Sequence, residues 1–121
     1  MVEPLRDPQK LQSQLDDFQN LQRQGQMLAM QRQQVELQLE ELRMAQEELA
    51  KASGKIYKAA GNLLIETTAA AAKKELTERI ETMGVRATTL GKQEDKVKAR
   101  SEEMRAELEK MVGKPSEEEG A

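Results

Sequence analysis

Apolar residues recur every seven positions through two long stretches of this chain, and the period breaks once between them. In the first stretch Leu21, Leu28, Val35, Leu42 and Leu49 fall on one line, taken as heptad position d. A second line, offset by three residues, holds Leu11, Phe18, Gly25, Arg32, Leu39 and Gln46 and makes a mixed position a. The second stretch repeats the design: Leu76, Met83, Leu90, Val97, Met104 and Met111 form d, and Lys73, Ile80, Ala87, Glu94, Ser101 and Leu108 form a. A seven-residue apolar repeat sustained this long predicts a coiled-coil seam. Pro8 suits a first helical turn, and Gly113 followed by Pro115 should end the second helix. The pattern predicts helices over 8–52 and 69–112, each about 44 residues and roughly 65 Å long. Gly25, Gly84 and Gly91 weaken them and predict bendable arms.

Where the heptads stop, the chemistry turns to strands. Lys55 to Lys58 and Leu63 to Thr67 are β-favouring runs around Gly61-Asn62, and they predict a short β-hairpin over 55–67. Ala59 and Ala60 are poor strand formers, so a loop longer than two residues is expected. Thr67 or Thr68 can cap the next helix. Equal helices around a tight bend make an antiparallel pair. Facing each a with the opposite d gives Leu11–Met111, Phe18–Met104, Gly25–Val97, Arg32–Leu90, Leu39–Met83 and Gln46–Leu76, all symmetric about Gly61. A register shifted by one heptad stays open, because the hairpin need not be symmetric. The predicted fold class is mostly α: a two-helix antiparallel coiled-coil hairpin with a short β-hairpin at the bend. It forms a single domain over 1–121 that oligomerises through the β-hairpin. The acidic tail 113–121 is expected to be disordered.

Composition narrows the chemistry. Aromatics are 2% of the 121 residues, represented by Phe18 and Tyr57, while charged residues are 34%. That balance suits long helices with wet faces rather than a thick core. With no Cys and no His, disulfides, the usual zinc sites and His-based acid–base catalysis drop out. The lack of Cys fits a reducing cytoplasm. A net charge of −3 gives no general attraction to nucleic acid. The basic cluster Lys92, Lys96, Lys98 and Arg100 is interrupted by Glu94 and Asp95 and has no aromatic beside it to stack bases. No run is apolar enough to predict a membrane span. Carboxylates occur along the helices without a pocket to perturb them, and no Gly-rich phosphate loop exists. Neither an enzyme nor a cofactor is expected, and the Gln, Glu and Lys mixtures read as solvated faces.

The bend carries the strongest functional signal. Two isolated strands are marginal in water and leave open edges. Ile56, Tyr57, Leu63, Leu64 and Ile65 are too apolar for a solvated bend, so they are the expected subunit interface of an obligate oligomer. The second candidate surface is the arm tips, with Leu5, Leu11, Leu15, Phe18, Met104, Leu108, Met111 and Val112. Helix ends fray at little cost, and frayed Leu and Met side chains give an adaptable apolar surface. Phe18, Met104 and Leu108 read first as seam core. Leu15 lies off the seam and is the better exposed contact.

Several stretches resemble the prefoldin family, specifically its archaeal-type β-class. They are Ile56-Tyr57-Lys58, Gly61-Asn62-Leu63-Leu64-Ile65, Lys74-Glu75-Leu76 with Glu78-Arg79, and Leu90 with Gln93-Glu94. Val35-Glu36-Leu37-Gln38-Leu39 and Glu47-Glu48-Leu49 extend the likeness into the first helix. The short bend has room for one β-hairpin, whereas the α-class inserts two. Ala69 to Ala72 and the glycines 84 and 91 depart from the family pattern. The resemblance implies an ATP-independent holdase chaperone subunit that captures non-native polypeptides at its coiled-coil tips and delivers them to a group II chaperonin. It also implies a cytoplasmic hetero-hexamer of two α-class and four β-class subunits, with no cofactor. A structural coiled-coil scaffold or adaptor with fixed folded partners is the alternative. A holdase should delay aggregation of several unrelated unfolded proteins, and an adaptor should bind one folded partner.

Overall fold

The computed structural model describes residues 7–113. Leu5 and the tail beyond Gly113 lie outside the described residues. The elements run α1 (Pro8–Lys51), β1 (Ile56–Ala60), β2 (Leu63–Thr67) and α2 (Ala69–Val112). Two long helices with a short antiparallel β-hairpin between them are the predicted fold class. α1 ends at Lys51, one residue earlier than predicted, and Ala52 N–H closes its last turn onto the Leu49 carbonyl at 3.2 Å.

Local chemistry sets the helix ends. The Asp7 carboxylate accepts the N–H groups of Gln9 at 3.1 Å and Lys10 at 3.4 Å. Asp7 is therefore an N-cap, with Pro8 in the first helical position, where its missing N–H costs nothing. At α2 the choice between the two threonines falls on Thr68, whose Oγ1 accepts Ala71 N–H at 3.0 Å. α2 closes at Gly113, whose N–H donates to the Lys110 carbonyl at 3.0 Å with φ of +64°. That left-handed backbone is what a C-terminal glycine supplies.

The chain divides into two compact units, one of residues 1–30 with 91–121 and one of residues 31–90. In the first unit the a and d residues Leu11, Gln14, Phe18, Leu21, Gly25 and Leu28 are partly buried, as are Glu94, Val97, Ser101, Met104 and Met111. Leu108 is buried outright. A Cβ built on Gly25 would lie 3.4 Å from Val97 Cγ1. The layer predicted from symmetry about Gly61 is thus present, which fixes the heptad register of this unit.

The second unit has the firmer seam. Val35, Leu39 and Leu90 are buried, and Leu42, Leu49, Leu76, Ile80, Met83 and Ala87 are partly buried around them. One a position departs from the heptad: Lys73 is exposed, and Ala72 takes the inner place. In this first turn of α2 a small side chain fits beside the hairpin, and the ammonium of Lys73 stays hydrated. Across the described residues no side chain falls below 2% exposure. A two-helix seam buries stripes and has no enclosed centre.

The hairpin also corrects an expectation. Ala59 pairs with Leu64 and Ala60 with Leu63, so both alanines are strand residues and the turn is the two residues Gly61-Asn62. Gly61 has φ of +63°, whereas Asn62 is not among the positive-φ residues. That sign pattern is the one a type II′ hairpin turn requires, with glycine at its first central position. The turn sets the register, and the weak strand preference of alanine is overridden.

Candidate interaction surfaces

The register sorts the hairpin into two faces, because directly opposed residues share a side. Ile56, Lys58, Ala60, Leu63, Ile65 and Thr67 lie on one face, and Tyr57, Ala59, Leu64 and Glu66 on the other. Lys58 Nζ reaches Glu75 Oε1 of α2 at 3.3 Å. The first face is therefore turned toward the helices, and its Ile56 and Thr67 are partly buried. At about half exposure for both partners, the ion pair contributes at most ~1 kcal/mol. Its value is orientational.

Around that face opens a groove of ≈ 800 Å³, with Leu42, Leu49, Ile56 and Leu76 in its lining and five alanines, Ala45 and Ala72 on the helices among them. It is wide because alanines stand where larger side chains would fill the space between helix and sheet. On the other face Leu64 is 74% exposed and Tyr57 52%. Leu63 and Ile65 are also exposed. β1 and β2 pair only with each other among the described residues, so each keeps an outer edge of unpaired backbone groups.

The second candidate surface belongs to the unit of residues 1–30 and 91–121. There Leu11, Phe18, Met104 and Met111 are partly buried and Leu108 is buried, all on the seam. Leu15 and Val112 stand off the seam and are exposed, Val112 the more so. Nearby, Arg105 bridges Glu102 at 2.9 Å and Glu109 at 2.8 Å along one face of α2. The hydrogen bond and charge of Glu102, then the charge of Glu109, raise the guanidinium above its ordinary value. This staple stiffens the helix beside the candidate contacts.

Met27, Met30, Leu37, Met44 and Val85 are exposed apolar residues outside the two candidate surfaces read from sequence. Leu37 and Met44 lie on α1 in the second unit, 61% and 57% exposed. Their spacing of seven, off the a and d lines, was the available signal, hidden among glutamates that read as an ordinary wet face. Among the described residues no group of three or more His, Cys, Asp or Glu is placed to hold a metal ion. No described helix is long and apolar enough to cross a membrane.

A helical hairpin of this form, with a strand pair at its bend, has a known class. The family model for prefoldin subunits matches residues 12–115. The chain belongs to the prefoldin subunit family, whose membership is consistent with a chaperone role. It is similar to the prefoldin beta subunit from Thermococcus strain KS-1, with a TM-score of 0.81 and 33% identity over 90% of this chain and 96% of that one. It is 44% identical over 51 residues to prefoldin subunit beta of Methanococcus maripaludis, and 42% identical over the same length to that of Methanococcus vannielii. Each of these two matches spans 42% of this chain and 45% of the relative, so the chain spans about half the length of the curated relatives it matches.

Proposed function

We propose that the chain is a β-class subunit of an ATP-independent holdase that captures non-native polypeptides and delivers them to a group II chaperonin. In this reading it assembles through its β-hairpin with α-class subunits and further β-class copies, as a cytoplasmic hexamer of two α and four β. One observation carries the assembly part: a two-stranded sheet with open edges exposes Tyr57, Leu63, Leu64 and Ile65. Two strands alone are marginal in water, and neighbouring hairpins supply the missing pairing. Clients bind where Leu15 and Val112 stand exposed beside the partly buried Leu11, Phe18, Met104 and Met111. Leu5 and Leu108 complete this set. Thioether and leucine side chains at a loosely buried helix end repack around varied sequences. Several weak sites in one assembly gain avidity from effective concentration. The work is binding, without a reaction.

The test is to combine the chain with an α-class partner and add several unrelated unfolded proteins. Delayed aggregation of all of them is expected. Association with one folded protein alone would instead identify an adaptor. Removing residues 1–15 and 105–121 should leave the hexamer in sedimentation and abolish the protection, and unchanged protection would refute the assignment of clients to these helix ends.

A further inference from the structure

On the outer side of α1 in the second unit, the heptad puts Leu37 and Met44 at position f, one above the other and roughly 10 Å apart along the axis. Both are more than half exposed. Positions b and c flank f on the helix surface, and here they are Glu40, Glu41, Glu47 and Glu48, all exposed. None of the four carboxylates takes part in an ion pair: the pairs near them are Arg32 with Glu36 and Lys58 with Glu75. Arg43 sits at position e, on the flank nearer the seam, and Lys51 is the next f residue after Met44, an exposed cation that ends the ridge at the last turn of the helix. The result is a short apolar ridge flanked at b and c by four carboxylates and closed at the helix end by Lys51.

Hydrophobic residues scattered singly on a surface need no explanation. Here two residues of this unit share a line, and the four charges at the b and c positions that flank it are all acidic. An apolar partner carrying acidic groups would be repelled, and a neutral one would gain nothing from the flanking carboxylates. We propose that this face docks a cationic amphipathic segment. The segment presents one or two apolar side chains at helical spacing to Leu37 and Met44, with Lys or Arg on both flanks reaching the glutamates. Its source is the non-native polypeptide, so the inference rests on the chaperone reading and names a preferred class of client for a surface separate from the helix ends. The apolar contact holds the segment, and the rim charges select it and hasten its encounter.

The experiment uses the full chain assembled with an α-class partner. The probe is a fluorescent helical peptide of Leu and Lys, titrated by anisotropy at about 0.05 M and about 0.5 M salt, where screening differs several-fold in range. A Leu and Glu peptide of the same pattern is the control. Leu37→Gln with Met44→Gln should weaken the Lys peptide about tenfold or more. Replacing the four glutamates by Gln should weaken it comparably at low salt and remove most of the salt dependence. Unchanged affinity in both variants, or equal binding of the two peptides, would overturn the proposal. So would loss of assembly in the Leu37 and Met44 variant, which would make the ridge a subunit contact. Protection of an acidic unfolded protein is read in parallel. Retained protection with lost peptide binding supports this surface. Wild-type protein that binds the peptide through these residues yet protects nothing supports the surface and sinks the chaperone reading alone.

Discussion

The unit of residues 31–90 contains the most deeply packed seam residues, Val35 and Leu39, and also the most exposed strand residues, Leu63 and Leu64. The unit of residues 1–30 and 91–121 spans a narrower range: Leu108 is buried, and most of its other seam residues are half covered. Sequence explains the contrast. In the second unit the seam is mostly Val, Leu, Ile and Met, with Arg32 and Gln46 as its partly buried polar positions. In the first, Gly25, Glu94 and Ser101 take seam positions, and the cleft around them measures ≈ 370 Å³. A firm seam beneath an uncovered sheet suits fixed association, since the helices hold the strands in place for a partner. A half-covered seam suits adaptable contact, because its side chains gain little from any one arrangement. The same residue types, Leu and Met, occur in both units, and the density of packing behind them makes the difference.

The largest expected effect falls on the uncovered sheet. Ile65→Asp places a charge on the strand face and should reduce the assembled species to smaller ones in sedimentation. Persistence of hexamers with the partner subunit would remove the distinction drawn between the units. Next comes the firm seam: Leu39→Ala should cost ~2–5 kcal/mol in denaturant unfolding. Met104→Ala, at a half-covered position of the other unit, should cost clearly less, and equal losses would contradict the contrast in packing. Removing the cap with Thr68→Ala should cost about 1 kcal/mol, read from the thermal midpoint. The smallest change is a gain. A Cβ on Gly84 meets nothing within 4 Å, so Gly84→Ala should stabilise by roughly 0.5–1 kcal/mol.

Much of this architecture could be read from residue spacing. The seam follows the heptad nearly throughout, because a repeat of seven leaves one face on which apolar side chains can meet. Pro8, Thr68 and Gly113 mark helix ends because each meets a backbone need at that end. The strand status of Ala59 and Ala60 was not legible, since it follows from a turn geometry at Gly61 that dictates pairing regardless of side-chain preference. Lys73 misled for a related reason: the heptad ignores the neighbouring hairpin, and near it the smaller Ala72 fits inside. For the interaction surfaces, composition exposed the excess of apolar residues at the bend. It could not show which strand face is turned toward the helices, because that orientation depends on the Lys58–Glu75 contact across the bend.

The open edges of the hairpin have a consequence for the chain before it meets any partner. An unpaired strand edge beside exposed leucines accepts any extended segment that reaches it, so an isolated copy is an aggregation hazard. Its fate then depends on supply: in the proposed assembly, copies made in excess of their partners have no cover for β1 and β2. Mass action stabilises only the copies that find one. Surplus chains keep these edges uncovered, and the steady-state amount of this subunit should follow the amount of its partners rather than its own rate of synthesis.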